Sequence, residues 1–449
     1  MRSRLQEAFT QLRLAGPVIV VNLSMMGMML VDSAVVGHLS TTAYAAVSIG
    51  LAWAWGGMAF GIGVMLSLDA LVSQARGAGD EVGVSRALQR AVLLAALLAI
   101  AIAPLLWFTE PVLRALDQPP AVIEPASAYV RVLILAMLPA FVFSALRQTL
   151  QAMGHVRELV IAVLLANVLN YVLDRALTEG WWGLPELGVV GVAWSTVFCD
   201  VLMVGGVLFF ARGLLLPRLW PLVPRVFNLR PLMRMLGLGL PIGFQLAVEA
   251  GAFNAVTFLV GRLGEVEVAG HRTALNLAST SFMVPLGLST AVAVRVGHCI
   301  GEGRSAAARR AAGTGVGLAV FVMLCFAALF AWQPRALSLL LTDQSDVLAV
   351  AVSLMPYAAA FQLFDGLQVL CSGILRGAGD TRWPLIMNLV GYWLIAIPIG
   401  AWWVLRGGGG PTQLWITLGG ALALVALGLL LRVRSRLAGD LRRIDLESA

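Results

Sequence analysis

The sequence is divided into long apolar segments separated by short polar connections. Each segment has about 20 residues, the length that a helix needs to cross a lipid bilayer. Of the 449 residues, 59% are hydrophobic and 12% are charged, whereas a soluble domain carries about 25% charged residues. The chain is therefore predicted to be an all-α polytopic membrane protein with about twelve transmembrane helices. The predicted spans are residues 14–36, 46–69, 88–108, 128–150, 158–178, 187–211, 236–260, 270–294, 312–332, 348–372, 383–404 and 411–432.

The chain also contains an internal repeat. Residues 239–303 match an earlier stretch at an offset of 224 positions, and glycine and proline recur in register. The matched pairs are Pro17 and Pro241, Gly37 and Gly261, Leu39 and Leu263, Gly63 and Gly287, Gly77 and Gly301, and Gly79 and Gly303. Repeats of this kind predict two related halves. The predicted parts are a six-helix bundle at 1–211, a cytoplasmic Arg/Pro-rich linker at 212–234, a second six-helix bundle at 235–432 and a cytoplasmic tail at 433–449.

The net charge of +7 has a topological explanation. All 31 basic residues are arginines, and most of them fall on one side of the membrane when the N-terminus is placed in the cytoplasm. Because cytoplasmic loops carry an excess of basic residues, both termini are predicted to be cytoplasmic and the chain to lie in the cytoplasmic (inner) membrane. No nucleic-acid partner is expected.

Several other functions are disfavoured by the sequence. ATP-driven transport by this chain alone is disfavoured. The glycine-rich loop QARGAGDE follows no strand and opens no βαβ unit, so it is not a nucleotide-binding motif, and no phosphate-binding loop occurs elsewhere. The four cysteines lack CxxC spacing and are interpreted as apolar packing residues. An intramembrane protease is disfavoured because the four histidines lie near span ends. We expect no enzyme activity, no cofactor and no obligate protein partner; the expected partners are the lipid bilayer and small organic molecules.

Five acidic residues within the spans are the main functional candidates. A charge at the bilayer centre costs about 2.5–3.5 kcal/mol, so a chain that keeps such residues is expected to use some of them. Asn170 lies one helical turn before one of the five and shares its helix face. The five are Asp32, Asp174, Asp200, Glu249 and Asp365, of which Asp200 is only a possible additional candidate.

These residues leave three interpretations open. Burial favours the neutral form of a carboxyl group, so a buried acid can carry a proton between the two sides of the membrane. With neighbouring oxygen atoms it can instead hold Na⁺, and Glu249 with Asp365 is the candidate pair. The third interpretation is a neutral carboxyl that only joins helices. Arg272 and Asn276, one turn apart in span 8, are weaker candidates; for Arg272 a salt bridge or an interfacial position is the alternative.

Four stretches resemble the MATE (multidrug and toxic compound extrusion) transporters. They are AGPVIVVNLSMMGMMLVDSAVVGHLS, LGLPIGFQLAVEAGAFNAVTFLVGRLG, AGHRTALNLASTSFMVPLGLSTAVAVRVGHCIGEG and FDGLQVLCSGILRGAGDTRWP. The resemblance covers almost the whole chain. It implies two six-helix bundles related by pseudo-twofold symmetry around a central cavity that opens alternately to each side.

The resemblance also implies roles for individual residues. The second-half motifs look most like the NorM-type branch, in which Glu249 and Asp365 would form a cation site. The first-half motifs VDSAVVGHL and NYVLD are similar to the DinF-type branch, in which Asp32, Asn170 and Asp174 would form a proton- or sodium-linked cluster. One position departs from the pattern: some NorM-type members have a tyrosine one turn before the span-10 acid, where this chain has Phe361.

The sequence therefore predicts a secondary active antiporter. It would export organic, often cationic and aromatic compounds in exchange for H⁺ or Na⁺. The alternative is a lipid-linked oligosaccharide flippase of the same wider superfamily. An anionic pyrophosphate lipid would call for several cationic residues within the spans, but the span interiors are mainly acidic, with Arg272 as the main exception.

Overall fold

A computed structural model describes residues 2–183, 185–439 and 441–447. In these ranges the chain is helical and contains no β-strand. Twelve helical stretches within them are long and apolar enough to cross a membrane. The prediction of an all-α membrane protein with about twelve spans is therefore confirmed.

The first half of the chain contains nine α-helices and two short 3₁₀ turns, Trp181–Gly183 and Pro224–Phe227, among its described residues. Proline is tolerated inside several of the long helices, as is common in membrane spans. The α-helices are α1 (Arg2–Gly37), α2 (Thr41–Met65), α3 (Leu68–Gly77), α4 (Glu81–Trp107), α5 (Thr109–Ala115), α6 (Pro120–Met153), α7 (Arg157–Glu179), α8 (Val189–Phe210) and α9 (Arg212–Leu219).

The second half follows the same order of long helices. One of its spans contains a π-helical segment, Leu389–Ala396, between two α-helical pieces. The α-helices are α10 (Leu229–Gly261), α11 (Glu265–Gly301), α12 (Ser305–Trp332), α13 (Pro334–Leu339), α14 (Ser345–Gly377), α15 (Arg382–Asn388), α16 (Ile397–Leu405) and α17 (Pro411–Ala438).

Two predicted spans are less regular than the sequence indicated. The predicted span 46–69 consists of α2 and the start of α3, with a break at Leu66 and Ser67. The predicted span 383–404 consists of α15, the π-helical segment and α16. A π-helical segment widens the helix by one residue per turn, so it changes which side chains share a face.

The chain forms two compact units. The N-unit comprises Val20–Gly243 and Asp445–Ala449, and the C-unit comprises Met1–Ile19 and Phe244–Ile444. The chain passes from one unit to the other inside α1 and inside α10, and these two points are separated by the repeat offset of 224 residues. The predicted linker, 212–234, lies within the N-unit. That 1–211 and 235–432 act as separate functional bundles stays a prediction.

The repeated glycines mark close helix crossings. In the N-unit, a Cβ atom on Gly63 of α2 would lie 2.6 Å from the Cα atom of Gly243 on α10. In the C-unit, a Cβ atom on Gly287 of α11 would lie 2.5 Å from Cγ1 of Ile19 on α1. Gly63 matches Gly287 and Ile19 matches Gly243 at the repeat offset, so both units use the same crossing. Small residues at such positions allow two helix backbones to approach closely.

This crossing gives a stability prediction. Gly63→Ala places a methyl group against the backbone of Gly243, and overpacking of this kind costs about 1–3 kcal/mol. We expect the detergent-purified variant to show a lower apparent melting temperature than wild type. The control is Gly205→Ala on α8, where a Cβ atom meets nothing within 4 Å. A Gly63→Ala protein as stable as the Gly205→Ala protein would contradict the assigned crossing.

Candidate functional sites

The first candidate site lies in the N-unit, where α1, α7 and α8 meet. Asn170 Nδ2 on α7 donates a hydrogen bond to Asp32 Oδ1 on α1, with a donor–acceptor distance of 2.9 Å. Asp174 lies one turn after Asn170 and is fully buried. Its carboxyl group is within interaction range of Asp32 and of Ser195 on α8. The structure therefore brings Asp32, Asn170 and Asp174 together, and we call this group the N-unit cluster.

Ser195 and Asp200 extend the polar surroundings of the N-unit cluster. Ser195 is buried, and its Oγ donates to the backbone oxygen of Asn170 at 3.4 Å. Asp200 is buried on α8 and lies within electrostatic range of Asp32. Tyr129 on α6 is also buried within electrostatic range of the cluster. Several acidic groups in one apolar environment raise the free energy of ionising all of them together.

The second candidate site lies in the C-unit and is built on a chain of amides. Asn388 Nδ2, at the end of α15, donates to Glu249 Oε2 on α10 at 3.1 Å. Gln368 Nε2 on α14 donates to Asn388 Oδ1 at 3.2 Å. Gln368 and Asn388 are buried, so these bonds fix the orientation of the Glu249 carboxyl group from two neighbouring helices. Together with Asp365 and Tyr392, these residues form what we call the C-unit cluster.

The C-unit cluster contains buried oxygen atoms without a donor. Asp365 Oδ1, Gln368 Oε1 and the Tyr392 hydroxyl are buried and find no hydrogen-bond partner among the described residues. Asp365 and Tyr392 both lie within electrostatic range of Glu249. A buried polar atom left unpaired costs about 1–3 kcal/mol. Hard cations take oxygen ligands of this type, so the donor set fits a small cation or a shared proton.

Tyr392 of this cluster lies in the π-helical segment. Tyr392 is the fourth residue of Leu389–Ala396, and its ring centroid lies 5.9 Å from that of Phe253 on α10. Phe361, one turn before Asp365, lies 6.2 Å from Phe253 and 5.6 Å from Trp415, centroid to centroid. Phe361 is thus a buried aromatic packing residue with no oxygen, whereas Tyr392 carries a hydroxyl. Single π-helical turns inside α-helices occur frequently at functional sites.

The acids of the two clusters lack cationic partners. In the part of the chain that the structure describes, no ion pair involves Asp32, Asp174, Asp200, Glu249 or Asp365. A further buried acid, Asp69 on α3, differs because Arg147 lies within electrostatic range of it. An acid bonded only to neutral groups has no compensating charge, so its charge state depends on an exchangeable proton or cation.

The weaker candidates Arg272 and Asn276 lie outside both clusters. Both side chains are exposed on α11. The neighbouring His271 is buried instead, and its Nδ1 accepts a hydrogen bond from Trp415 Nε1 at 3.1 Å. Because Nδ1 is the acceptor, His271 is held as the Nε2–H tautomer, and Nε2 faces the Thr257 hydroxyl at 3.4 Å.

Sequence analysis missed Ser195, Gln368, Asn388 and Tyr392. A signal was available for two of them. Asn388 is an amide in a predicted span, the same signal that singled out Asn170, and Gln368 follows Asp365 by three residues on one helix face. Tyr392 carried no signal of its own, because a tyrosine in an apolar span is equally typical of packing; it lies one turn after Asn388 and would follow only from that residue.

Comparison with known proteins supports a family assignment. A family sequence model described as MatE matches residues 17–175 and 241–402. The chain is 37% identical over 428 residues to a "Probable multidrug resistance protein NorM" from Pseudomonas putida, covering 93% of this chain and 92% of the relative. It is also 37% identical over 423 residues to a protein of the same description from Deinococcus radiodurans, covering 93% of each.

Solved structures agree with the fold. The crystal structure of the eukaryotic MATE transporter AtDTX14 superposes with a TM-score of 0.89 at 21% identity, covering 97% of this chain and 98% of that one. At this identity the likeness concerns the fold alone. The two family matches begin at Pro17 and Pro241, the residues that open the internal repeat. The chain belongs to the MatE family and is a membrane transporter, not an enzyme.

Proposed function

We propose that the protein is a secondary active multidrug efflux antiporter of the cytoplasmic (inner) membrane, with both termini in the cytoplasm. It exports organic, often cationic and aromatic compounds in exchange for H⁺ or Na⁺ by alternating access. The names of its relatives support multidrug efflux. The observation that carries the coupling is the pair of acid clusters, in which an asparagine amide holds half-buried Asp32 or half-buried Glu249 and no ion pair forms with the described residues.

In this mechanism the two clusters bind the coupling cation. In the N-unit cluster, Asp32 and Asp174 share a proton or a sodium ion, and Asn170 orients Asp32 through its amide. In the C-unit cluster, Glu249 and Asp365 supply the negative charge while Gln368 and Tyr392 supply neutral oxygens. Cation binding neutralises the acids and favours one access state; cation release favours the other and prepares the transporter for the organic substrate.

The driving force is sufficient for drug extrusion. One charge moving down about 150 mV yields about 3.5 kcal/mol. Each 1.4 kcal/mol corresponds to a tenfold change in an equilibrium, so one charge sustains roughly a 300-fold concentration ratio of substrate. The flippase alternative receives no support from the relatives named above, and we do not propose it.

The first prediction concerns the acids. Replacing Asp32 with Asn and Glu249 with Gln keeps side-chain volume but removes both exchangeable charges. We expect cells lacking other pumps to lose ethidium efflux and drug resistance at matched protein levels. The control is the double variant Asp343→Asn, Glu265→Gln, because both acids are exposed. Wild-type drug resistance in the Asp32→Asn, Glu249→Gln variant would contradict the proposed coupling.

The second prediction separates the coupling ions. Ethidium uptake into proteoliposomes is measured with a pH gradient or a Na⁺ gradient imposed separately. Proton-driven transport should be lost in Asp32→Asn and Asp174→Asn, and sodium-driven transport in Glu249→Gln and Asp365→Asn. If neither gradient drives transport by correctly folded wild-type protein, the antiporter assignment is wrong.

The third prediction tests whether Tyr392 replaces the hydroxyl that is missing at Phe361. Tyr392→Phe removes one oxygen atom and keeps the ring contacts. We expect the apparent affinity for Na⁺ to fall about tenfold, because a tenfold change corresponds to the free energy of about one hydrogen bond. Tyr357→Phe on α14 is the control, since Tyr357 is partly exposed. An unchanged Na⁺ dependence in Tyr392→Phe would remove this residue from the site.

A further inference from the structure

Residues 211–234 run from the end of α8 to the first turns of α10 and are held on the N-unit through their backbone; we call this segment the strap. Gln89 Nε2 on α4 donates to the backbone oxygens of Arg218 at 2.9 Å and Pro221 at 3.1 Å, and Gln89 Oε1 accepts from the Val223 amide at 3.2 Å. Arg90 Nη2 donates to the Arg225 oxygen at 3.0 Å. Because the backbone is fixed from one side, the strap has a defined outer surface.

The outer surface of the strap exposes large apolar side chains. Trp220 is 71% exposed, Phe227 is 62% exposed, and Leu229, the first residue of α10, is 68% exposed. Only small parts of the strap, such as Leu215 and Val226, are buried against the N-unit. Water-facing loops rarely expose such a concentration of large apolar groups, whereas a membrane–water interface favours them.

The same surface carries arginines without acidic partners. Arg212, Arg225 and Arg230 are exposed, and none forms an ion pair in the described ranges of the chain. The sequence contains no acidic residue between Asp200 and Glu249. By contrast, Arg218 of the same strap is paired with Glu81 at 2.6 Å. Arg212 lies over the Phe209 ring, 5.5 Å from its centroid, and keeps its full charge. Three positive charges without an acidic partner among the described residues, next to exposed aromatic and aliphatic groups, match the chemistry of an anionic lipid surface.

We propose that the strap is a binding surface for anionic phospholipid headgroups. Arg212, Arg225 and Arg230 contact the headgroup phosphates, while Trp220 and Phe227 insert at the acyl boundary. This proposal depends on the chain being a membrane protein but not on the coupling ion or the transported compound. Its test therefore measures lipid binding, which stays interpretable if the antiporter assignment fails.

The test compares lipid affinities of the purified full chain in a neutral detergent. Wild-type protein is titrated with fluorescent phosphatidylglycerol and with the matching phosphatidylcholine. Each Arg near an anionic membrane surface strengthens binding by a similar factor. The preference for phosphatidylglycerol should therefore fall on the order of 100-fold in the triple variant Arg212→Gln, Arg225→Gln, Arg230→Gln. Added NaCl should weaken the wild-type preference, because exposed charges are screened by salt.

Matched variants separate this surface from general basic charge. Arg114 and Arg131 are both paired with Glu110, so Arg114→Gln, Arg131→Gln should keep the wild-type preference. A triple Arg→Lys variant of the strap keeps the charge and should also keep most of the preference, so a loss confined to the Arg→Gln variant reports the missing charge. Inorganic phosphate at millimolar concentration should not displace the lipid, because phosphate has no acyl chain to contact Trp220 and Phe227.

Three results would overturn the proposal. They are equal wild-type affinities for the two lipids, an unchanged preference in the triple Arg→Gln variant, and complete displacement by inorganic phosphate. The last result would mean that the strap binds free anions and not a lipid surface.

Discussion

The structure depends on how carboxyl groups are kept inside an apolar protein. In each unit an asparagine amide from the fifth long span donates to an acid on the first span: Asn170 to Asp32 and Asn388 to Glu249. A neutral donor holds the carboxyl in place without cancelling its charge, whereas an arginine would fix the charged form permanently. The proposed transport cycle rests on cation exchange at acids that are held in this way.

The repeat duplicated the helices but not the acids. At the repeat offset, Glu249 matches Met25 and Asp32 matches Val256. The N-unit has a physical reason for the difference, because the Met25 sulfur accepts a hydrogen bond from Arg147 Nη1 at 3.0 Å. An acid at position 25 would form an ion pair with that guanidinium. The N-unit instead places its acids farther along α1 and on α7, whereas the C-unit places Glu249 on α10 and Asp365 on α14, so only the acids on α1 and α10 lie on equivalent helices.

Much of this arrangement was accessible from sequence. The length of the apolar segments predicted the twelve spans. The register of Gly and Pro predicted the internal repeat. The two family matches and the equivalent helix crossings at Gly63 and Gly287 agree with that repeat. The one-turn spacing of Asn170 and Asp174 placed them on one face. The amide chain through Gln368 and Asn388 was not predicted, since it depends on which helices meet. Tyr392 was not predicted for the same reason.

The central claim is that substrate binding and cation release are linked through the acids of the two clusters. The most direct test measures ethidium binding to purified protein by fluorescence polarisation, in a weakly buffered solution with a pH indicator and in a parallel Na⁺ titration. The account predicts that binding to wild type releases protons or is competed by Na⁺, and that this linkage disappears in the Asp32→Asn, Glu249→Gln protein. Wild-type protein that binds ethidium with neither proton release nor sodium competition would contradict it.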